Sequence, residues 1–555
     1  MRLLSSLLLL AFAWSTSASV VADNSYLYDW GVFGAYPRNH YKSFDSASPR
    51  PNVLKSDPRC DAGYLFIEPR GSSVAKPGPV ILDKNGNLVW TEQKWGQAMD
   101  VKVQNYQGND YITFWTGSDN GTFGSGNYLM IDASYQIYKN FSAAGTLHGD
   151  LHEFRITKNG TALLTAYELK PTDLSALGVS GEGWIYDSLF QEVDIATGEL
   201  LFQWRASDYL PVTESFSPIQ KNGREREKAW DYMHINSVDK NDEGNYLISL
   251  RYGCTLLCIS QTGEILWRLG GKHNSFKDLT PGAAATNFAW QHHAMWHENS
   301  TMVSVFDNGA FDKLIHTAEY SRGLLISLDY NEMSATLVQD YVAPQRFLAP
   351  SQGSVQLLPD GNVLVGWGHT PAFTEFSVSG EVLCDMHIGA TRIASLGRSK
   401  NYRTFKYSWV GRPKTAPSVV MKAAENALYV SWNGATEVER WVLEASDSTT
   451  EGAKFFQIGG ATKEQFETKI HVPHDADEYL RVAAIDRQGN VLGYSAIVDR
   501  RSEEVAGSKT ETILGGIVCI SLGLFLWRFR GAMRTSFYRI TEGAFGTKYK
   551  KLPQN

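Results

Sequence analysis

One pattern constrains this chain above all others: short alternating strands, broken by tight polar turns, recur along most of its length. It is clearest from Asp231 to Gly271, DYMHINSVDKNDEGNYLISLRYGCTLLCISQTGEILWRLGG. Apolar and polar residues alternate in runs separated by Asp-Glu-Gly-Asn and Gln-Thr-Gly-Glu, as in antiparallel strands joined tightly. Six such units can be drawn. The first starts at Cys60 and includes PVILDKNGNLVW, and the second starts near Gln97. The third opens HGDLHEFRI, the fourth at Asp231, the fifth with FAWQHHAMWH, and the sixth runs from SQGSVQLL to near Gly389. Spread over about 330 residues they average roughly 55 each, near the ~40–50 of propeller blades. Gly86, Gly160, Gly198, Gly244, Gly263, Gly361 and Gly380 fall between strands, where hairpins turn. The expected fold class is all-β: a six-bladed β-propeller, a fibronectin type III-like β-sandwich and one C-terminal transmembrane helix. Two sandwiches would not explain the recurrence of one unit.

A chain of 555 residues is too long for one core. Its start, MRLLSSLLLLAFAWSTSASVVAD, reads as a secretory signal peptide over residues 1–22. Residues 23–59 read as an irregular, extended lead-in, 60–411 as the propeller and 412–500 as the sandwich, with Trp432 in its core; where Gly and Pro cluster, 401–417 read as a connector between the two. Residues 501–511 form a charged stalk. The uncharged run TILGGIVCISLGLFLW, extended to 512–529, reaches the lower end of the ~17–25 residues needed to span a bilayer. A basic flank follows, with Arg528, Arg530, Arg534, Arg539, Lys548, Lys550 and Lys551 against Glu542, so 530–555 reads as a cytoplasmic tail. The expectation is a single-pass membrane protein with its ectodomain extracellular or luminal. Of the net charge of −7, the tail carries +6 and leaves −13 outside, which excludes a nucleic-acid surface. Asn120, Asn140, Asn159 and Asn299 stand in glycosylation triplets in the ectodomain.

Cys519 lies in the anchor, leaving Cys60, Cys254, Cys258 and Cys384 with three pairings. Cys254 and Cys258 on one extended strand would be ~13 Å apart at about 3.3 Å per residue, whereas a disulfide tolerates at most roughly 7 Å between Cα atoms. They pair only if residues 252–256 turn. The favoured set is Cys254–Cys258 with Cys60–Cys384, the second closing the ring against an open edge.

In a ring of blades, equivalent positions approach one another around the axis. Aligning unit openings puts His152 (DLHEF), His234 (YMHIN), His292 (WQHHA) and Gln352 (SQGSV) in equivalent places. Lone histidines are mostly core or surface residues, but a set placed by repeat symmetry points to a shared pocket. A metal hydrolase built on His293 and His297 of HHAMWH lacks an adjoining carboxylate set.

The ordered combination HINSV, GNYLISLR, GEILWRLGG, QHHA, FDNG, SRGLLISLD and GNVLVGWG, within Gly63 to Gly411, resembles the arylsulfotransferases of the arylsulfate sulfotransferase type, most closely their secreted fungal branch. That resemblance implies a six-bladed propeller that moves a sulfuryl group from an aryl sulfate to a phenol through a sulfohistidine, with no cofactor. It also implies a site of three histidines and one arginine. By motif these are His234 of HINSV, His292 of QHHA, Arg322 of SRG and, as nucleophile, His369 of GWGHTP. QHHA has His293 where the family pattern has an acid. His152, His293, Trp290 and Trp367 are expected to contact substrate, with the tryptophans stacking on an aryl ring, and no metal is expected. The competing expectation is a non-catalytic surface propeller and sandwich used for recognition or adhesion, since fold alone does not fix function. Oligomeric state is left open.

Overall fold

A computed structural model describes residues 25–312 and 314–501. The expected signal peptide, the stalk beyond Arg501, the spanning helix and the basic tail lie outside the described residues. Among those described, no helix is long and apolar enough to cross a membrane.

The protein is mostly β, and the repeated unit of the sequence becomes a four-stranded antiparallel sheet six times over. Sheets two to six follow the chain: Ala98–Phe141, Gly149–Arg205, Ile235–Gly270, His292–Tyr341 and Ser354–His387. In each, strands one to four lie side by side in chain order. All seven glycines picked out between strands have φ between 75° and 96°, a region open to glycine at little cost.

Sheet one is different. Tyr64–Ile67, Val80–Leu82 and Leu88–Thr91 supply only three of its strands, and the innermost is Phe405–Tyr407, paired Phe405↔Phe66, from beyond sheet six in the chain. Residues 401–417, expected as a mere connector, thus contain the strand that closes the ring. The lead-in is also more ordered than expected. It holds a short helix, Ser25–Asp29, and a strand, Asn52–Ser56, which adds a fifth strand to sheet six. Asp29 Oδ1 bonds His387 Nδ1 at 2.6 Å, fastening that helix to the same sheet.

The first strands of the six sheets form a closed circuit, stitched by polar side chains. Gln104 of sheet two donates to the Phe154 carbonyl of sheet three at 3.0 Å, and Arg155 pairs with Asp239 of sheet four at 2.7 Å. Asn236 donates to the Gln291 carbonyl of sheet five at 2.6 Å, and His293 Nδ1 accepts from Val355 N of sheet six at 3.3 Å. Gln356 bonds Lys406 N at 2.8 Å, returning to sheet one, whose Glu68 accepts from Val101 N of sheet two at 3.3 Å. Where sheets two and three meet, Gly149 pairs with Gly126, and a Cβ at Gly149 would sit 2.5 Å from the Tyr128 ring. Apolar clusters fill the space between neighbouring sheets: Trp204, Phe190, Ile248 and Leu257 lie between sheets three and four.

Cys60 and Cys384 form a disulfide with Cα atoms 6.2 Å apart, tying the entry into sheet one to the last strand of sheet six. The expected Cys254–Cys258 bond is absent and both thiols are free and buried. Strand Thr255–Ile259 is extended from the residue after Cys254 onward, so Cys258 faces the core between sheets four and five while Cys254 packs with Tyr252 and Trp290. Burial pushes both thiols up to about 12.

Beyond the ring, residues 418–499 make two antiparallel sheets of three and five strands facing across a core of Leu428, Val430, Trp441, Leu443 and Val482. Trp432 belongs to that core, 8% exposed. Tyr135 of sheet two stacks on Trp90 of sheet one and donates to the Gly434 carbonyl at 2.8 Å, joining this body to the ring.

Candidate functional site

The openings of the first strands carry an irregularity that local patterning does not announce. Ladder register shifts at Met99/Lys102, Gly149/Phe154, Ile235/Ser237 and His292/Met295. Asp100, His234, His293 and Gln352 have φ of 60°, 59°, 53° and 67°. Such a conformation costs a non-glycine residue about 1–2 kcal/mol. Bulges of this kind re-aim side chains and gather where a site is built. Here they turn His234 and Gln352 onto a common cavity, and Asp100 and His293 toward the axis.

That cavity, about 90 Å³, is lined on one arc by His152, His234 and His292 from sheets three, four and five, with Arg251 and Tyr252. Ring centroids are 4.6 Å apart for His152 and His234, and 6.4 Å for His234 and His292. The facing arc carries Arg70, Lys400 and Tyr402, and Ser351 and Gln352 close the side. Below it, at the ring's centre, Arg403 bonds Asp100 at 2.8 Å and Glu153 at 3.0 Å, while Lys102 bonds the same carboxylates at 2.7 and 2.6 Å. Two cations and two anions neutralise one another there and fill the axis.

Each imidazole is held through Nδ1, and the partners set the tautomers. Asp150 accepts from His152 Nδ1 at 2.6 Å, His152 N at 3.0 Å, Thr165 Oγ1 at 2.8 Å and Gly124 N at 2.7 Å. Burial works to raise its pKa, but His152 and these donors outweigh it and leave the carboxyl below its usual range. An ionised Asp150 accepts the Nδ1–H of His152, which fixes the tautomer of the neutral ring with its lone pair on Nε2. Asn308 spends its amide hydrogens on the carbonyls of Ala349, at 2.8 Å, and Gln352, at 3.0 Å. Its Oδ1 therefore accepts from His292 Nδ1 at 2.7 Å, and His292 Nε2 in turn accepts Gln352 N at 3.2 Å. His234 Nδ1 meets Asp231 Oδ2 at 2.6 Å. Burial pushes Asp231 up to about 8, so a protonated carboxyl donates to Nδ1 and leaves His234 with Nε2–H. Burial, with His152 and Arg251 for His234 and with Arg251 for His292, holds both imidazoles well below their ordinary pKa.

Arg251 stacks 4.9 Å over Tyr252 and donates to the carbonyls of Pro350, at 2.8 Å, and Phe311, at 3.2 Å. Its buried Nε has no partner among the described residues. A groove of about 500 Å³ adjoins the cavity, shares Thr122 and Tyr252 with it, and is walled by Phe123, Tyr186, Trp230 and Phe311.

His152, His234 and His292, placed together by repeat symmetry, are together. The other expected site residues sit elsewhere. Arg322, opening the third strand of sheet five, lies opposite Asp307 in the ladder and bonds it at 3.1 Å, away from the cavity lining. His369 is half-buried and outside the lining, though its N–H donates at 3.2 Å to the carbonyl of Ser351, which does line it. His293 is turned to the axis, 5.3 Å from the Phe405 ring. Trp367 is wholly buried, its Nε1 bonded to Thr374 and its ring packed on Phe306 and Phe347. Trp290 backs the cavity wall, packed on Tyr252 and Phe311. His297 bonds Ser304 Oγ at 2.8 Å, and no group of three or more metal-ligating side chains is found among the described residues. The four triplet asparagines are all exposed. Residues missed in the sequence are Arg251, Arg70, Lys400 and Tyr402. Arg251 ends the buried run YLISLR, where a charge closing a core strand was the available signal.

A family model described as Arylsulfotransferase (ASST) matches residues 102–389, more than half of the chain. No curated protein matches. Solved structures with similarity include a Bacteroides caccae protein of unknown function, with 15% identity, TM-score 0.36, and 62% of this chain and 99% of that chain covered. The periplasmic gluconolactonase PpgL of Pseudomonas aeruginosa has 11% identity and TM-score 0.31, covering 74% and 100%. Virginiamycin B lyase from Staphylococcus aureus has 8% identity and TM-score 0.26, covering 76% and 96%. Likenesses this faint carry nothing about chemistry.

Proposed function

Because the chain belongs to the arylsulfotransferase (ASST) family, we propose that it transfers a sulfuryl group from an aryl sulfate to a phenolic acceptor, with a sulfohistidine between the two half-reactions. The observation that carries this is the gathering of three Nδ1-anchored imidazoles and an under-bonded Arg251 in one cavity. His152 is the best-placed nucleophile, since Asp150 behind it holds Nδ1 and leaves Nε2 as the attacking nitrogen of the neutral ring. Its lone pair forms the N–S bond as the S–O bond to the aryl group breaks, and the electron pair leaves on the aryloxide. Arg251 and the Nε2–H of His234 stabilise charge developing on the sulfuryl oxygens. In the second half-reaction a phenol oxygen attacks sulfur, the N–S pair returns to His152 Nε2, and that nitrogen takes the phenolic proton and passes it to solvent. The aromatic groove beside the cavity suits the aryl ring of either substrate. His369 and Arg322 keep a role only through the motif resemblance.

The closed circuit of six sheets is read as a six-bladed propeller and the second body as a fibronectin type III-like sandwich. The uncharged run 512–527 and the basic flank from Arg528 onward support a single-pass anchor over 512–529 with the ectodomain outside or in the lumen. A secretory route would also allow glycans at the four exposed asparagines. Kinship with the secreted fungal branch is supported by the motifs alone.

The test is release of 4-nitrophenolate from 4-nitrophenyl sulfate with phenol present. It is expected from wild-type protein and lost in His152→Ala and Arg251→Met. No release with any aryl sulfate would leave a non-catalytic recognition module.

A further inference from the structure

The arc facing the histidines has a charge problem of its own. Arg70 and Lys400 form an isolated antiparallel bridge, Arg70 N to Lys400 O at 2.9 Å and Lys400 N to Arg70 O at 2.8 Å. Residues paired this way project to the same side, and like charges directly opposite repel. Arg70 is 4% exposed, and its Nε donates only to the Met99 thioether at 3.1 Å. Its Nη1 is buried with no partner among the described residues. No described carboxylate forms an ion pair with either cation. Asp119, which lines the same cavity, is 3.3 Å from Gln97 Nε2 instead. Glu68 and Asp119 offset the repulsion only at longer range, and Glu68 spends its carboxylate on the N–H groups of Val101, Tyr402 and Arg403. A buried guanidinium beside an ammonium with no carboxylate in contact favours an anion that joins it. Burial, then Arg70, pushes Lys400 down to about 8, in keeping with that repulsion. Both residues fall outside the family-matched stretch 102–389.

We infer that Arg70 and Lys400 form a second anion subsite, across the cavity from the imidazoles, that binds an oxyanion other than the sulfuryl group in transfer. The first oxyanion's identity rests on the sulfotransfer reading; the second subsite does not. Two sources fit the chemistry: a carboxylate or second sulfate carried by the aryl substrate, or a free inorganic anion.

Titration calorimetry of the full chain with sodium sulfate separates one site from two. Wild type is expected to bind two sulfates. Arg70→Met and Lys400→Met each lose one, while Arg251→Met loses the other. Lys400 is half-buried, so Lys400→Met carries the test if Arg70→Met does not fold. Kinetics then identify the source. A rise in KM for 4-hydroxybenzoate of about tenfold in Lys400→Met, with phenol unchanged, places the anion on the aryl ring. Unchanged KM for both acceptors beside a lost sulfate assigns the subsite to a free anion. One sulfate lost equally in all three variants, or sulfate binding untouched by Arg70→Met and Lys400→Met, overturns the subsite. Absence of turnover would sink the sulfotransfer reading and leave the sulfate stoichiometry standing.

Discussion

Replacing Asp150 with asparagine tests the assignment of His152 most directly. Asp150 is wholly buried and gives its two oxygens to four donors, three of them on Oδ2. An asparagine must aim its NH₂ at one of the two oxygen positions, and both already face N–H or O–H groups. With the NH₂ toward Gly124 N, the bond to Nδ1 survives without its charge. A charge-assisted bond is worth about 1.5–3 kcal/mol, and a transition state that loses this much slows by about 10- to 150-fold. With the NH₂ toward Nδ1, the imidazole is forced into the Nε2–H tautomer, for which a comparable His–Asp pair loses about 10⁴ in kcat. The expected loss therefore lies between about 10- and 10⁴-fold, with KM for 4-nitrophenyl sulfate little changed. Pre-steady-state release of 4-nitrophenolate should lose its burst, because sulfation of His152 is the step affected. Thermal unfolding should move only by the few degrees that an unpaired buried N–H implies. An Asp150→Asn protein that folds and turns over within threefold of wild type would refute the assignment of His152 as nucleophile.

Four further outcomes are expected. The loop closed by Cys60–Cys384 spans 324 residues, so the chain-entropy model assigns the bond about 6 kcal/mol, and Cys60→Ser should lower the urea midpoint accordingly. Cys254 and Cys258, free and buried, should resist Ellman's reagent in the native protein and both react in denaturant; no thiol in denatured, unreduced protein beyond Cys519 would show them bonded. Arg403→Met strips the axial cluster of one of its two cations and should cost about 3–5 kcal/mol of stability, read by chemical denaturation. The pH profile has two signed parts. Asp231 keeps its proton up to about 8, so kcat should fall as pH rises through that value, and Asp231→Asn should flatten the limb. His234 and His292 titrate well below the unfolded value of about 6.5. Their stabilising contribution is thus present above about pH 6.5 and lost as pH falls below it, seen as a falling unfolding midpoint that is shallower in His292→Asn.

How far the sequence carried depended on whether the information was local. The alternation and glycine turns of Asp231–Gly271 required short antiparallel strands, and their sixfold recurrence required equivalent openings. That symmetry brought His152, His234 and His292 to one place, because a repeat places its members without any contact needing to be known. Its reach stopped where a single residue's role depended on direction. Whether Arg251 or Arg322 faces the cavity turns on ladder register and on bulges at the strand openings, and a one-residue shift reverses a side chain's face. Residues 401–417 read as a linker because Phe405–Tyr407 is short and its partner, Tyr64–Ile67, lies more than 300 residues earlier in the chain. The same long-range closure set Lys400 opposite Arg70 and drove Arg403 into the axis. The sequence by itself determined the strand-and-turn unit, its number and the histidines it repeats. The tertiary structure decided which charges meet across the ring, since that depends on strands far apart in the chain pairing in one register.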